Sequence, residues 1–412
     1  MDTVVIGAGH AGLAASYCLT ERSIDHVVIE RGEVANSWRH ERWDSLTLLT
    51  PNWQSSLPGF PYAGSDPDGY MNVNEVVSFI DDYVSHSKPP IQTSTNVISL
   101  KQEDGGYRVE TDRGTWLCRS VVIASGACNT PSVPAVSSLL PSNIEQITSA
   151  DYRCPDQLKE GGVLVVGASS TGLQLAQEIR QTGRKVTIAT GEHVRLPRVY
   201  RGKDIQWWMN AAGVLDEGED DIDDINRARH LPSPQLVGNR DQQILDLNAM
   251  TQQGIKLAGR LMGVQNGVAQ FSGSLRNVCA LADLKMNRLL KAIDEWVEDN
   301  PIDEAIEPVE RFEATGVDET PCLGLNLEKE DIQTVVWATG YRPDYSWLNV
   351  PVLDRKGMLR HKAGVVDAPG LYVLGLPFLR HRKSSFIHGA EDDARYLTEH
   401  LHQYLRQSRK ES

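Results

Sequence analysis

The chain has 412 residues, 41 Lys+Arg against 55 Asp+Glu, a formal net charge of −14, and is 40% hydrophobic and 23% charged. That length carries two or three domains and a core that needs no disulfide or metal staple, and the composition excludes disorder, collagen and coiled coil. The acidic balance excludes partners that need a positive surface, nucleic acid and anionic membrane, and no apolar run reaches the roughly 18 residues of a membrane span.

The first residues, with Asp2 ahead of a strand from Thr3, predict no secretory leader and a cytoplasmic protein. The six cysteines form no C-x-x-C, which points to reduced thiols rather than a redox dithiol or zinc knuckle. No metal-ligand spacing is present.

In chain order, an apolar strand Thr3-Val4-Val5-Ile6 runs into Gly7-Ala8-Gly9-His10-Ala11-Gly12, a helix to about Glu21 and a second strand ending at Glu30. Gly7 allows the tight turn, Gly9 lets the backbone approach a pyrophosphate, and Gly12 permits close helix–strand packing. The helix start then faces the phosphates with free N–H groups. His10 is read as filling space in the turn. Glu30 stands where an acid accepts from the hydroxyls of an unphosphorylated ribose. The following stretch, Asn36 to Pro51 with Trp38 and Arg39, reads as a loop with aromatic anchors.

Tyr107–Thr111 and Thr115–Cys118 alternate as antiparallel strands. They lead to a buried strand, Val121–Ala124, followed by Ser125 and Gly126. The opening pattern then returns 160 residues after its first appearance: Val163–Val166, the turn Gly167-Ala168-Ser169-Ser170-Thr171-Gly172, a helix to about Thr182, and the strand Lys185–Ala189. Continuous apolar strands of this kind belong in parallel sheets buried on both faces. This second unit ends on Ala189 and Thr190 with no acid, and Arg195, Arg198, Arg201 and Lys203 follow. Such charge suits a ribose 2′-phosphate, with Arg195 and Arg198 as bidentate donors, and so NADPH. A solvated basic patch, with Glu192 nearby, is the competing reading.

Residues 204–310 read as a helical insertion with an amphipathic run from Leu275 to Val297. The acidic stretch Asp216–Asp224 reads as a solvated loop without the ligand spacing of a calcium site. Late in the chain, Thr334–Trp337 precedes Ala338-Thr339-Gly340-Tyr341, a sister of the strand before Ser125. The expected fold is α/β, with two Rossmann-like dinucleotide-binding domains, one inserted in the other. The boundaries are 1–157 and 331–412 for the first dinucleotide-binding domain and 158–330 for the second, NADPH-side domain.

Taken together, the Gly7/Gly9/Gly12 turn, Ser37-Trp38-Arg39, Asp151-Tyr152-Arg153, Arg195-Leu196-Pro197-Arg198, Ala338-Thr339-Gly340-Tyr341-Arg342 and Gly370–Pro377 resemble the flavin-containing monooxygenase family. Its members include YUCCA-like and bacterial cation-transport-flavoprotein-like proteins. Ser142, Ile144 and Thr148 replace the Phe, Gly and His of the family's signature ahead of the second turn. The resemblance implies FAD and NADPH as cofactors, O2 and a small molecule as substrates, and oxygenation of a nitrogen, a sulfur or a carbonyl through a C4a-hydroperoxyflavin. It implies that Ser125-Gly126 and Ala338-Thr339-Gly340 are crossings between the two domains, and that the Val97 backbone meets the FAD adenine. It offers Asn52 as a donor near the flavin, against a plain turn-capping asparagine beside Pro51. His388 is a candidate for flavin or substrate contact, against an ordinary loop histidine. Competing functions are an NADPH oxidase or reductase that releases hydrogen peroxide, and a non-catalytic flavin- and NADPH-binding regulator. A homo-oligomer stays open.

Overall fold

The computed structural model describes residues 1–302 and 305–408. Residues 303–304 of the expected insertion and 409–412 of the last segment therefore lie outside it.

The first glycine turn joins β1 (Thr3–Ile6) to α1 (His10–Glu21), which returns to β2 (His26–Ile29). All four residues of each strand are buried, as expected of a strand covered on both faces. The strands pair in parallel, Thr3 opposite His26 and Ile6 opposite Ile29. Helix α2 (Val73–Ser87) begins in a capping box formed by Asn72 and Glu75. A short edge strand β3 (Ile91–Gln92) then pairs with β2. Next come the antiparallel strands β4 (Val97–Glu103), β5 (Gly106–Thr111) and β6 (Gly114–Cys118), in the alternating pattern the sequence shows. The chain re-enters the first sheet as β7 (Ser120–Ile123), parallel to β1.

A second parallel sheet follows. Strand β8 (Glu145–Thr148) lies at its edge, and β9 (Gly162–Val166), α3 (Ser170–Gln181) and β10 (Val186–Ala189) repeat the opening unit. After α4 (Ile205–Ala211) comes β11 (Lys256–Ala258), which pairs in parallel with β10. Strands β12 (Leu261–Gln265) and β13 (Val268–Phe271) form an antiparallel hairpin. Helix α5 (Leu275–Asp299) buries Leu275, Cys279, Ala282, Met286, Leu290 and Ile293, one stripe at three- and four-residue spacing. Strand β14 (Gly324–Asn326) extends the hairpin, and β15 (Ile332–Trp337) sits between β8 and β9. Finally β16 (Leu371–Val373) returns to the first sheet beside β7, and α6 (Gly389–Ser408) packs on α1.

The expectation of a helical insertion over 204–310 is corrected in part. The amphipathic run is helix α5, but β11 is an integral strand of the second sheet and β12–β13 a hairpin beside it. The acidic stretch is not simply solvated either. Asp216 and Glu217 reach Lys383 (2.6 Å) and Arg382 (2.5 Å), and Gly218 bridges to His381. All six cysteines are free thiols. No group of metal-ligating side chains and no helix long and apolar enough to cross a membrane occurs among the described residues.

Candidate functional site

The two glycine turns are built alike because the same close approaches recur. Gly7 has φ +110°, and a Cβ there would lie 2.4 Å from the Ala124 carbonyl oxygen; Gly167 has φ +119°, and its Cβ would lie 2.2 Å from the Ala338 carbonyl oxygen. A Cβ on Gly12 would meet Gly7 O at 1.9 Å, and one on Gly172 would meet Gly167 O at 2.0 Å. Ala124 and Ala338 are thus equivalent floors beneath the turns, each followed by a glycine at positive φ, Gly126 and Gly340. Thr339 is tied down by its hydroxyl, which donates to Ser132 O at 2.6 Å.

Glu30 first organises its own turn: its carboxylate accepts from Ala8 N at 2.9 Å and Gly32 N at 3.0 Å. A carboxylate has about four acceptor positions, so two remain for a ligand. A cavity of about 610 Å³ opens over this turn. Gly7, Gly9, His10, Ala11, Glu30, Trp38, Val97, Ser125 and Gly126 all line it, so the structure brings these expected residues together. The Nε2 of His10 and the hydroxyl of Ser125 are buried without a partner among the described residues. Burial lowers the His10 pKa to about 4, which keeps the ring neutral.

Three expected residues stand elsewhere. Arg39 leaves the cavity to pair with Asp81 on α2, at 2.7 and 2.5 Å, and donates to Val34 O. The cations at the cavity wall are Arg31 and Arg42, the latter 5.5 Å from the Trp38 ring centre and 6.0 Å from that of Tyr341. Asn52 is buried outside the lining; its amide donates to Asp66 O at 2.9 Å, and its Oδ1 has no partner among the described residues. His388 is not in the lining either, and both of its ring nitrogens are buried. Its neighbours Phe386 and Ile387 form the lining. Burial, then nearby Lys383, lowers the His388 pKa to about 4.

On the second unit, Ser169, Ser170 and Thr171 sit where the pattern placed them, at the start of α3. The Ser170 hydroxyl, however, donates to Leu236 O at 3.2 Å, and Gln235 donates to Ala168 O at 2.7 Å. The segment 233–236 therefore runs along this turn.

The assignment of Arg195 and Arg198 to a 2′-phosphate is overturned. Arg195 donates to Asp246 at 3.0 and 2.7 Å, to Asp283 at 2.7 Å and to Glu313 O at 2.8 Å. Arg198, with no exposed surface, grips Asp204 at 2.6 and 2.7 Å and donates to Leu49 O at 2.8 Å. Arg201 pairs with Asp294 at 3.1 Å, and Lys203 lies 5.3 Å from the Trp207 ring centre. Apart from the buried, unpartnered Nε of Arg198, every donor nitrogen of the two guanidiniums is engaged by a protein oxygen, so neither is set out for a phosphate. The sequence hides this because the partners of Arg195 lie 51 and 88 residues downstream.

A second cavity, of about 440 Å³, opens instead at the end of β10. Gly191, Glu192, His193, Arg227, Arg260 and Lys285 are in its lining. Glu192 is held by Lys285 at 3.2 Å and Arg227 at 3.8 Å. Arg260, just past β11, has no ion-pair partner among the described residues. The repeat places Thr190 where Glu30 stands in the first unit, and its hydroxyl is buried without a partner. A lone arginine after a three-residue strand gives no signal in the sequence, and Arg260 was missed for that reason.

A family model for pyridine nucleotide-disulphide oxidoreductases matches residues 4–210. The chain belongs to that family. The oxidoreductase is 32% identical over 405 residues to an uncharacterized CzcO-like oxidoreductase from Geobacillus kaustophilus, covering 96% of this chain and 97% of the other. It is 28% identical over 200 residues to the indole-3-pyruvate monooxygenase YUCCA1 of Oryza sativa, covering 47% and 49%. Among solved structures, a flavin-containing monooxygenase from Stenotrophomonas maltophilia superposes with a TM-score of 0.68 at 19% identity, covering 98% of each chain. These findings bear out the resemblance to flavin monooxygenases, the α/β fold and the reading of the chain as an enzyme.

Proposed function

We propose that this oxidoreductase is an FAD- and NADPH-dependent monooxygenase acting on a small soft nucleophile, a nitrogen or sulfur, or on a carbonyl compound. One observation carries the reading. The cavity over the first glycine turn is also lined by residues of the intervening segment, Gln206, Ser233 and Pro234, so it lies where the two units meet. FAD fits the donor set: a glycine turn for the pyrophosphate, Glu30 with two free acceptor positions for the ribose, and two buried orphan groups, His10 Nε2 and Ser125 Oγ. Flavin, when bound, supplies hydride acceptance from nicotinamide and, once reduced, activation of O2.

The protein's part is orientation and exclusion of water. Trp38, Leu48, Leu49 and Phe386 give the cavity apolar walls, which strengthen every polar contact inside. Because β8 (Glu145–Thr148) and β15 (Ile332–Trp337) belong to the second sheet, the expected segments 1–157, 158–330 and 331–412 shift: the NADPH side runs from about 145 to 337 and the FAD side lies before and after it, with Ala124 and Ala338 at the crossings. The second turn holds the pyrophosphate of NADPH by backbone N–H groups of residues 169–171. Its 2′-phosphate would be held by Arg260, with Arg227 and Lys285 in the same cavity.

The test is a pair of measurements on purified protein. Yellow protein whose flavin absorbance bleaches with NADPH supports the reading; colourless protein that takes up no FAD refutes it. Arg260→Ala should weaken NADPH by about tenfold to a hundredfold, the range of a lost charge-assisted hydrogen bond, and leave NADH little changed. Equal losses for both nucleotides would remove the 2′-phosphate from Arg260.

A further inference from the structure

The apolar cavity receives one long polar side chain from outside the two FAD segments, Gln206 at the start of α4. It is 2% exposed, and its Oε1 has no partner among the described residues. A buried amide oxygen left without a donor is costly, so such groups are retained where a ligand supplies one.

Gln206 is also held in place with unusual care. Asp204 caps α4, accepting from Gln206 N at 2.7 Å. The same carboxylate takes both bonds from Arg198 and a 2.5 Å bond from the Tyr70 hydroxyl. Arg198 in turn donates to Leu49 O, and Leu49 is itself part of the cavity wall. One buried arginine thus fixes the wall of the cavity and the helix that carries Gln206 into it. In a dinucleotide bound by Glu30 on its adenosine side, the far side of the glycine turn holds the reacting half. Leu49 and Phe386 pack with Ile205 and Trp208 of α4, so Gln206 shares their part of the cavity wall.

We infer that Gln206 positions the substrate by accepting a hydrogen bond from it, and that Arg198, through Asp204, sets the position of Gln206. The inference rests on the proposed function and names the substrate class within it: a nucleophile that carries its own N–H, a neutral primary or secondary amine. A tertiary amine, a thioether or a ketone brings no donor and leaves the Gln206 oxygen unpaired. An amine bound through N–H keeps its lone pair directed away from the carbonyl, free for reaction.

The experiment uses the holoenzyme and four matched probes that are neutral at pH 7.5: aniline, N-methylaniline, N,N-dimethylaniline and thioanisole. Binding is read from the perturbation of flavin absorbance, and turnover from probe-dependent NADPH oxidation. Aniline and N-methylaniline are expected to bind about tenfold more tightly than the other two, the scale of one buried hydrogen bond. Gln206→Leu should erase that preference with FAD still bound, and Gln206→Glu, which keeps an acceptor, should retain it.

Equal binding of all four probes to the wild-type enzyme overturns the inference without any variant, as does binding of none. Loss of FAD from Gln206→Leu overturns it in favour of a flavin-holding role. Wild-type protein that takes up no FAD defeats the proposed function itself, a separate outcome visible before any probe is added.

Discussion

Replacing Arg195 by methionine separates a structural arginine from a nucleotide ligand. The guanidinium is 6% exposed and serves Asp246 and Asp283, whose side chains are 5% and 12% exposed. Burial alone would lower the Arg195 pKa, but hydrogen bonds and charge from the two carboxylates outweigh it and raise the value. Removing one partner of a buried ion pair costs about 3–5 kcal/mol, because the other charge is left in a poor solvent. Each orphaned carboxylate here keeps a backbone donor, Ala249 N for Asp246 and Thr315 N for Asp283, both at 2.8 Å. The expected loss is therefore near 4 kcal/mol. For a unit of roughly 150–250 residues unfolding on its own, that lowers Tm by about 10 °C. Differential scanning calorimetry gives Tm, and fluorescence titration gives the NADPH Kd. A Tm within 2 °C of wild type, together with a tenfold weaker NADPH Kd, would refute the reasoning and return Arg195 to the nucleotide.

Three further outcomes are expected. Gly7→Ala should damage the fold, since its methyl meets Ala124 O at 2.4 Å on a positive φ, whereas Gly9→Ala has open space and should keep the apoprotein Tm while losing FAD; identical behaviour of the two variants in thermal unfolding and flavin content would contradict this. Lys383→Met removes the ammonium between Asp216 (2.6 Å) and Asp392 (2.7 Å), and hydrogen exchange over 216–224 should quicken severalfold; unchanged exchange would mean the stretch is held by other contacts. His10, His361 and His388 each titrate near 4 in the folded chain against an ordinary 6.5, mainly through burial. The unfolded chain therefore binds more protons below pH 6.5, so stability holds above that value and falls as pH drops from 6.5 towards 4, by at most on the order of 3 kcal/mol per histidine. Urea unfolding between pH 4 and 8 checks this, and a flat profile would count against it.

What the sequence makes legible follows from locality. Each glycine turn, its helix and its strands lie within about thirty residues, so spacing alone specifies the cradle, and Gly7, Gly12, Gly167 and Gly172 pack as the pattern demands. The ion pairs are the opposite case. Arg195 and Arg198 look like a nucleotide-binding island because their neighbours in sequence are cationic, but their neighbours in space are acidic. The pairing of Arg198 with Asp204 is local enough to have been suspected; that of Arg195 with Asp246 and Asp283 is not. Strand β11 is too short for periodicity to register, which hid both its place in the second sheet and Arg260 beyond it. Asn52 and His388 were read from their surroundings in sequence, and neither is part of the cavity lining that their neighbours form. Gln206 carries no sequence signal at all, since only the cavity distinguishes it from any other helical glutamine.

The return of the chain to its first sheet has a consequence for biosynthesis. Strand β16 pairs with β7 through Leu371 opposite Val121, some 250 residues apart, while every strand of the second sheet falls between residues 145 and 337. On the ribosome the later sheet can close while the earlier one still waits for its last strand. The half that begins first is finished last, and the apolar edge of β7 stays uncovered for most of translation. Flavin capture would then coincide with release of the C-terminus, so synthesis in flavin-starved cells should strand the chain with that edge exposed, a state prone to aggregation.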